Sequence, residues 1–317
     1  MTPDFSSTPQ NLETNASAAE QRTIVDQKSL SWPQLIKEGT NEQILSRVNE
    51  ELQSLVAEAG LPVSNYCLLS LYEPQDNIDS WDSNRIFTAL QAQNRNHDKD
   101  VFLLISSPGG RIEPAFQISK ICKAFAHQNF IAAVPRAAKS AATLIALGAD
   151  KIHMGIMGEL GPIDPQLGNL PALGVKRALE TIASVCQQYP ASGEAFAQYM
   201  SKMVSIEQIG YCERVAESAA QYAERLLAKK SDVGGGAARI AKDLVCEYKD
   251  HNFVIDIEEA RAHLGHSWIV SDSPDIDFAE KVHQKLDFIN LLLGIFTKKR
   301  LLVVGGLTNG AMIWDKS

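Results

Sequence analysis

Two short stretches of this 317-residue chain combine residue types that could do nucleophilic chemistry. The first is Ser106-Ser107-Pro108-Gly109-Gly110-Arg111. Two glycines after a proline let the backbone turn sharply and aim N–H groups outward, which suits an anion or a developing oxyanion. Standing alone, the same residues also make an ordinary strand-to-helix turn. The second stretch runs from Pro135 to Thr143, where Ser140 opens an alanine-rich segment. Small neighbours leave its hydroxyl uncovered, and the free N–H groups of a helix start favour negative charge. Ser140 by itself also reads as a helix cap. Taken together, about 30 residues apart in the chain, the two stretches supply a nucleophile and two sources of oxyanion donors.

The elements around them alternate. Apolar runs at 66–72, 101–105, 130–134 and 151–154 read as strands, and the segments 80–92, 113–127 and 140–148 as the helices between them. Continuous apolar strands joined by helices indicate a parallel sheet buried on both faces, built from βαβ units. Such sheets place ligands at the carboxyl ends of their strands, where both stretches fall. Before this core come a polar tail over 1–30 and a helix over 31–60, closed by Gly60 and Pro62. Residues 61–190 form the expected catalytic core. A helical segment over 191–249 follows, broken by Gly234-Gly235-Gly236. The chain then returns to the core over 250–274, with strands at 253–255 and 268–270, and ends in an extension over 275–317.

Composition excludes several classes. A net charge of −8 and a single dense basic run, Lys298-Lys299-Arg300, argue against nucleic acid. Five scattered cysteines show no metal-ligand spacing and fit a reducing compartment. The polar N-terminus lacks the pattern of a signal peptide, and Phe288–Phe296 is far shorter than the roughly 20 residues a spanning helix needs. The expectation is a cytoplasmic protein without metal, cofactor or membrane span.

The order SPGGRIEPAFQISK, KSAATLIALGADKIHMG, LGPIDPQLG resembles the Clp protease proteolytic subunit and signal peptide peptidase A, and most of all the serine dehydrogenase proteinase group of that superfamily. The resemblance covers roughly 66–190, with a further stretch at 250–265. It implies a Clp protease/crotonase-like α/β core with an added helical segment and a C-terminal extension. It also implies a serine endopeptidase that works without ATP through an acyl-enzyme on Ser140. The N–H groups of Gly109 or Gly110 and of Ala141 would form the oxyanion hole. Ala142 departs from the pattern by standing where a glycine is expected.

A serine hydroxyl needs a base. Clp subunits use a histidine after the nucleophile helix, and Asp164 stands where it would be, so a Clp-type Ser-His-Asp system is not expected. The signal peptide peptidase branch uses a lysine, for which Lys176 is the first candidate, at a helix start that disfavours its charged form. Its plain reading is a solvated lysine beside Arg177. His251 is the second candidate base. Asp164 could orient a base or line the substrate groove. Lys139 is expected to project away from Ser140, His153 to be a satisfied strand residue, and Arg111 and Arg136 to be exposed at helix ends. Peptide or unfolded protein would bind as an extended strand beside Gly109-Gly110. A homo-oligomer is expected, with the helices after Gly174 and the apolar Leu291–Leu293 as contacts. Two other readings share the fold: a non-catalytic scaffold, and a crotonase-type acyl-coenzyme A enzyme with Asp164 or Glu159 in the pocket.

Overall fold

The computed structural model describes residues 30–60, 62–167, 170–203, 206–228, 230 and 236–315. The polar tail therefore lies outside the described residues apart from Leu30, as does most of the glycine-rich linker. Where one N-terminal helix was expected there are two, α1 (Trp32–Glu38) and α2 (Asn41–Ala59). They part at Gly39, where a Cβ would come within 2.6 Å of Leu35 O. Thr40 then starts α2 afresh with a capping box, accepting from Gln43 N–H while the Gln43 side chain accepts from Thr40 N–H.

The core alternates as the apolar runs require: β1 (Tyr66–Tyr72), α3 (Ser80–Gln93), β2 (Asp100–Ser106), α4 (Ile112–Phe125), β3 (Phe130–Val134), β4 (Ala137–Ala138), α5 (Ala141–Leu147), β5 (Lys151–Met154) and β6 (Glu159–Leu160). A small hairpin, β7 (Gln166–Leu167) and β8 (Leu170–Pro171), leads into α6 (Ala172–Gln188), α7 (Gly193–Met203) and α8 (Ile206–Leu227). After α9 (Ala237–Lys242) and a π-helical turn come α10 (Ile257–Leu264), β9 (Ile269–Val270), α11 (Pro274–Thr297), β10 (Lys299–Gly306) and β11 (Ala311–Asp315). Phe253–Ile255, expected as a strand, makes only an isolated bridge from Ile255 to Leu160.

Seven strands form the main sheet in the order β11-β10-β1-β2-β3-β5-β9. The five strands from β1 to β9 run parallel, and the C-terminal hairpin adds antiparallel to β1. Each central strand feeds two cores. Leu69, Leu71, Leu103 and Ile105 pack with α3, α4, α5 and α8, while Leu68, Phe102, Leu104 and Ile131 pack with α1, α2 and α11. The period of two is thus filled with apolar residues on both faces, and the runs look continuous in sequence. No helix among the described residues is long and apolar enough to cross a membrane.

Candidate active site

The carboxyl ends of β1, β2 and β3 converge. Ser107, just past β2, bridges to Ala138. It donates its N–H to Ala137 O at 2.9 Å and accepts from Lys139 N–H at 3.1 Å. The strand end thereby grips the residues leading to Ser140. Ala142 N–H donates to Lys139 O at 2.8 Å, closing a turn with Ser140 at its first corner. Ser140 has φ 50° and ψ −117°, the first-corner geometry of a type II′ turn. For a residue other than glycine that conformation costs about 1–3 kcal/mol. Ser140 stands just before α5, and its side chain makes no capping hydrogen bond.

Gly109 lies against this turn with φ 107°. A Cβ there would sit 2.7 Å from both Ser140 Cβ and Lys139 O, and 3.0 Å from Ala141 N. Gly110, at φ 150°, is equally constrained, since a Cβ would meet Ile78 N at 2.3 Å. Ile78 holds the pair in place. Its N–H donates to Gly109 O at 2.8 Å, and its carbonyl accepts from Arg111 N–H at 2.9 Å. Of the three N–H groups expected to serve an oxyanion, that of Gly109 is taken, donating to Ser107 Oγ at 3.1 Å. Those of Gly110 and Ala141 meet no acceptor among the described residues.

A second pair of loops closes on the same edge. β6 pairs with β4, and Gly161 follows, where a Cβ would lie 3.4 Å from Ser140 N. Thr143 pins it, its Oγ1 accepting from Gly161 N–H at 2.9 Å with its single proton between Ala138 O at 2.6 Å and Gly161 O at 2.8 Å. Leu160 and Ile255 exchange both backbone hydrogen bonds, which draws 250–255 alongside 160–164. His251 Nδ1 and Asp164 Oδ1 thus come within 2.6 Å. Gln166 Nε2 donates to Asp164 Oδ2 at 2.8 Å and lies 3.1 Å from His251 Nδ1. The bond to Asp164 raises the His251 pKa above its ordinary value, against the effect of burial. No hydrogen bond joins His251 to Ser140 among the described residues; apo sites often tighten only around substrate.

The other sequence candidates fall as follows. Lys176 lies in the first turns of α6, and its side chain is outside the described residues. Lys139, expected to project away from Ser140, is committed elsewhere: its Nζ reaches Glu159 at 3.1 Å and donates to Phe253 O at 3.1 Å, tying both loops together. Arg136 is likewise committed, at 2.6 Å from Glu280. Arg111 is exposed, 3.8 Å from Glu113. His153 is satisfied by Ser273 Oγ at 2.8 Å. Sequence reasoning missed Gln166 and Ser107, although Ser107 precedes the Pro-Gly-Gly motif directly and its hydroxyl was a visible candidate for bracing the turn. It also missed Glu73, an acid ending an apolar strand at the carboxyl edge.

Known proteins share parts of this chain. The uncharacterized protein MJ0137 of Methanocaldococcus jannaschii is 44% identical over 99 residues, covering 31% of this chain and 34% of that protein. A second from the same organism, MJ1495, is 27% identical over 181 residues, covering 57% of this chain and 55% of its own length. The chain thus spans between about a third and about half of the curated relatives it matches. Among solved structures, the membrane-bound stomatin-specific protease 1510-N, in complex with a substrate peptide, is 16% identical with a TM-score of 0.43, covering 67% of this chain and 76% of that one. The ClpP1 of Listeria monocytogenes is 18% identical with a TM-score of 0.41, covering 71% and 98%. At these scores the structural likeness is loose, and membership rests on sequence. The family model for ClpP-like SDH-type serine proteinases matches residues 74–266, from the loop after β1 through the His251 segment, and the chain belongs to that family.

Proposed function

We propose that this chain is a serine endopeptidase that cleaves peptide bonds through an acyl-enzyme on Ser140. The observation that carries the reading is the contact between the strained Ser140 turn and the Gly109 backbone, beside the Gly110 and Ala141 N–H groups, which meet no acceptor among the described residues. Ser140 Oγ attacks the scissile carbonyl carbon and gives its proton to the base. The carbonyl oxygen, now negative, is received by the two N–H groups, each worth about 3 kcal/mol when preorganised. The base returns the proton to the leaving amine, and water then hydrolyses the ester by the reverse steps.

The base has two candidates. Lys176 is the one the family resemblance favours. The geometry supports His251, whose Nδ1 is held by Asp164 and whose Nε2 is unengaged among the described residues. This would give a serine, histidine and aspartate set in the chain order Ser140, Asp164, His251. The crotonase-type reading is weakened because each carboxylate offered for its pocket is paired, Glu159 with Lys139 and Asp164 with His251. A peptide or unfolded-protein substrate, a cytoplasmic setting and a homo-oligomer complete the reading. For the last, Leu293 is fully buried in this chain's own core, whereas Phe288, Leu291 and Ile295 are exposed along α11. Sedimentation velocity tests the assembly.

A fluorophosphonate probe tests the chemistry. Labelling of the wild type, its loss in Ser140→Ala, and its loss in His251→Ala but not in Lys176→Ala are the expected results. A folded wild type that never labels would favour the scaffold reading, and labelling that survives in His251→Ala but not in Lys176→Ala would return the base to the lysine.

A further inference from the structure

Beneath the Gly109 turn lies a buried acid pair that the reaction itself does not use. Glu73 follows β1, and Asp82 faces it from the first turn of α3. They are 1% and 3% exposed, and Ser107 between Glu73 and Gly109 is 1% exposed. Ser107 Oγ donates to Glu73 Oε1 at 3.0 Å and accepts from Gly109 N–H at 3.1 Å. The Glu73 carboxyl also faces that of Asp82, and the two groups interact directly. Asp82 Oδ2 accepts from Asp79 N–H at 2.7 Å, and Asp79 directly follows Ile78, which clasps Gly109 and Arg111. Both sides of the oxyanion turn therefore end on one carboxyl pair.

We infer that Glu73 and Asp82 are positioning residues which, by sharing one proton, hold Ser107 and the Gly109-Gly110 turn in the geometry that presents the oxyanion donors. The inference rests on the serine peptidase reading above. Two carboxylates side by side in a dry site cannot both be charged, because neither their desolvation nor their repulsion is offset. Burial first, and then the Asp82 charge, push Glu73 up to about 9; burial likewise raises Asp82 to about 6. At neutral pH the pair holds one proton between its two carboxyl groups, while Glu73 Oε1 accepts from Ser107. Among the described residues, no cation is paired with either carboxyl. α3 brings Asp82 and its cap Asp79, β2 ends in Ser106 and Ser107, and α11 brings His283, whose Nε2 lies 3.2 Å from Ser106 Oγ. On the β1 loop, Asp76 is held by Arg300 from β10 at 2.9 Å. Loss of the shared proton places a second negative charge under the turn, and the chain of bonds through Ser107 is then free to rearrange.

Glu73→Gln separates this role from simple packing. A glutamine amide donates to Asp82 and accepts from Ser107 as the protonated acid does, but it cannot titrate. The first measurement needs no activity: the 13C resonance of the Gly109 carbonyl in the full chain, followed from pH 7 to 10.5. A midpoint well above the ordinary carboxylate range in the wild type and a flat profile in Glu73→Gln are expected. The second is the pH profile of peptide hydrolysis. The wild type should lose kcat above the same midpoint, Glu73→Gln should keep the neutral kcat and carry it to higher pH, and Glu73→Ala should lower kcat roughly tenfold with little change in KM. A Gly109 resonance that does not titrate, or titrates alike in both proteins, overturns the proposal. So does an alkaline limb unmoved in Glu73→Gln. If the resonance titrates as expected but the wild type neither labels nor cleaves, the acid pair stands and the peptidase reading is what fails.

Discussion

A single methyl group separates a working turn from a blocked one at Gly109. The positive φ excludes L side chains at a cost of roughly 1–3 kcal/mol, and the missing Cβ is the space Ser140 occupies. Gly109→Ala is expected to lose at least about 100-fold in probe labelling rate, since the donor beside it is displaced by the clash. It should also destabilise by roughly 2 kcal/mol or more in urea. Gly60→Ala is the control. Gly60 also has a positive φ, 64°, but nothing lies within 4 Å of its Cβ position, so strain of about 1 kcal/mol should appear without loss of labelling. Labelling of Gly109→Ala at the wild-type rate would refute the contact. At this scale the sequence made the two glycines and Ser140 legible, because Pro-Gly-Gly and a serine before alanines are local patterns. It did not show that Ser140 leaves the helix for a left-handed φ, nor that Ser107 takes the Gly109 N–H. Both depend on how β2 grips the 137–139 segment, a contact between strands that no local spacing encodes.

The loops after β6 and before α10 raise the corresponding question for the base. Asp164 and His251 are 87 residues apart, separated by helices, and the Leu160–Ile255 bridge and the Lys139 cross-link bring their loops together. The sequence offered each residue as a candidate and gave no means of pairing them. Periodicity reports which face of an element is buried and says nothing of where two loops return. Their pairing fixes the sign of a pH effect. A base must be neutral to accept the serine proton, and Asp164 raises the His251 pKa. Activity should therefore rise with pH through a midpoint above the ordinary histidine value of about 6.5. Asp164→Asn removes the raising partner. Its acid limb should move to lower pH, while kcat falls by about 100-fold or more as the ring loses its orientation. A pH–rate profile of the two proteins decides the matter. An acid limb that stays in place in Asp164→Asn would show that another group, such as Lys176, sets it.

At the scale of the whole molecule, the parallel half of the sheet was readable because its strands are apolar on both faces and alternate with helices. The antiparallel half was not. Leu301–Val304 is one more short apolar run, and nothing in its order says that it crosses from the far end of the chain to lie beside β1. There β10 pairs Leu69 with Gly306 and Tyr72 with Val303, and it buries Leu301 to Val304 along with Leu307. β1 is the strand whose end carries Glu73, and Arg300 of β10 holds Asp76 in the same loop. On the proposed reading the last strands help to position the Gly109 turn, although they lie far from Ser140 in sequence and outside the 74–266 family match. Ending the chain at Lys298 would expose the β1 edge and strip both cores of apolar cover, a liability that open strand edges turn into aggregation. That truncated chain is expected to be insoluble or to lose cooperative unfolding. The milder Arg300→Gln should keep the fold and lower labelling only modestly, through the loosened Asp76 loop. Circular dichroism melts and size-exclusion profiles read the first outcome, and labelling rates the second. A soluble, fully active chain ending at Lys298 would mean that the hairpin plays no part in holding β1 and the turn above it.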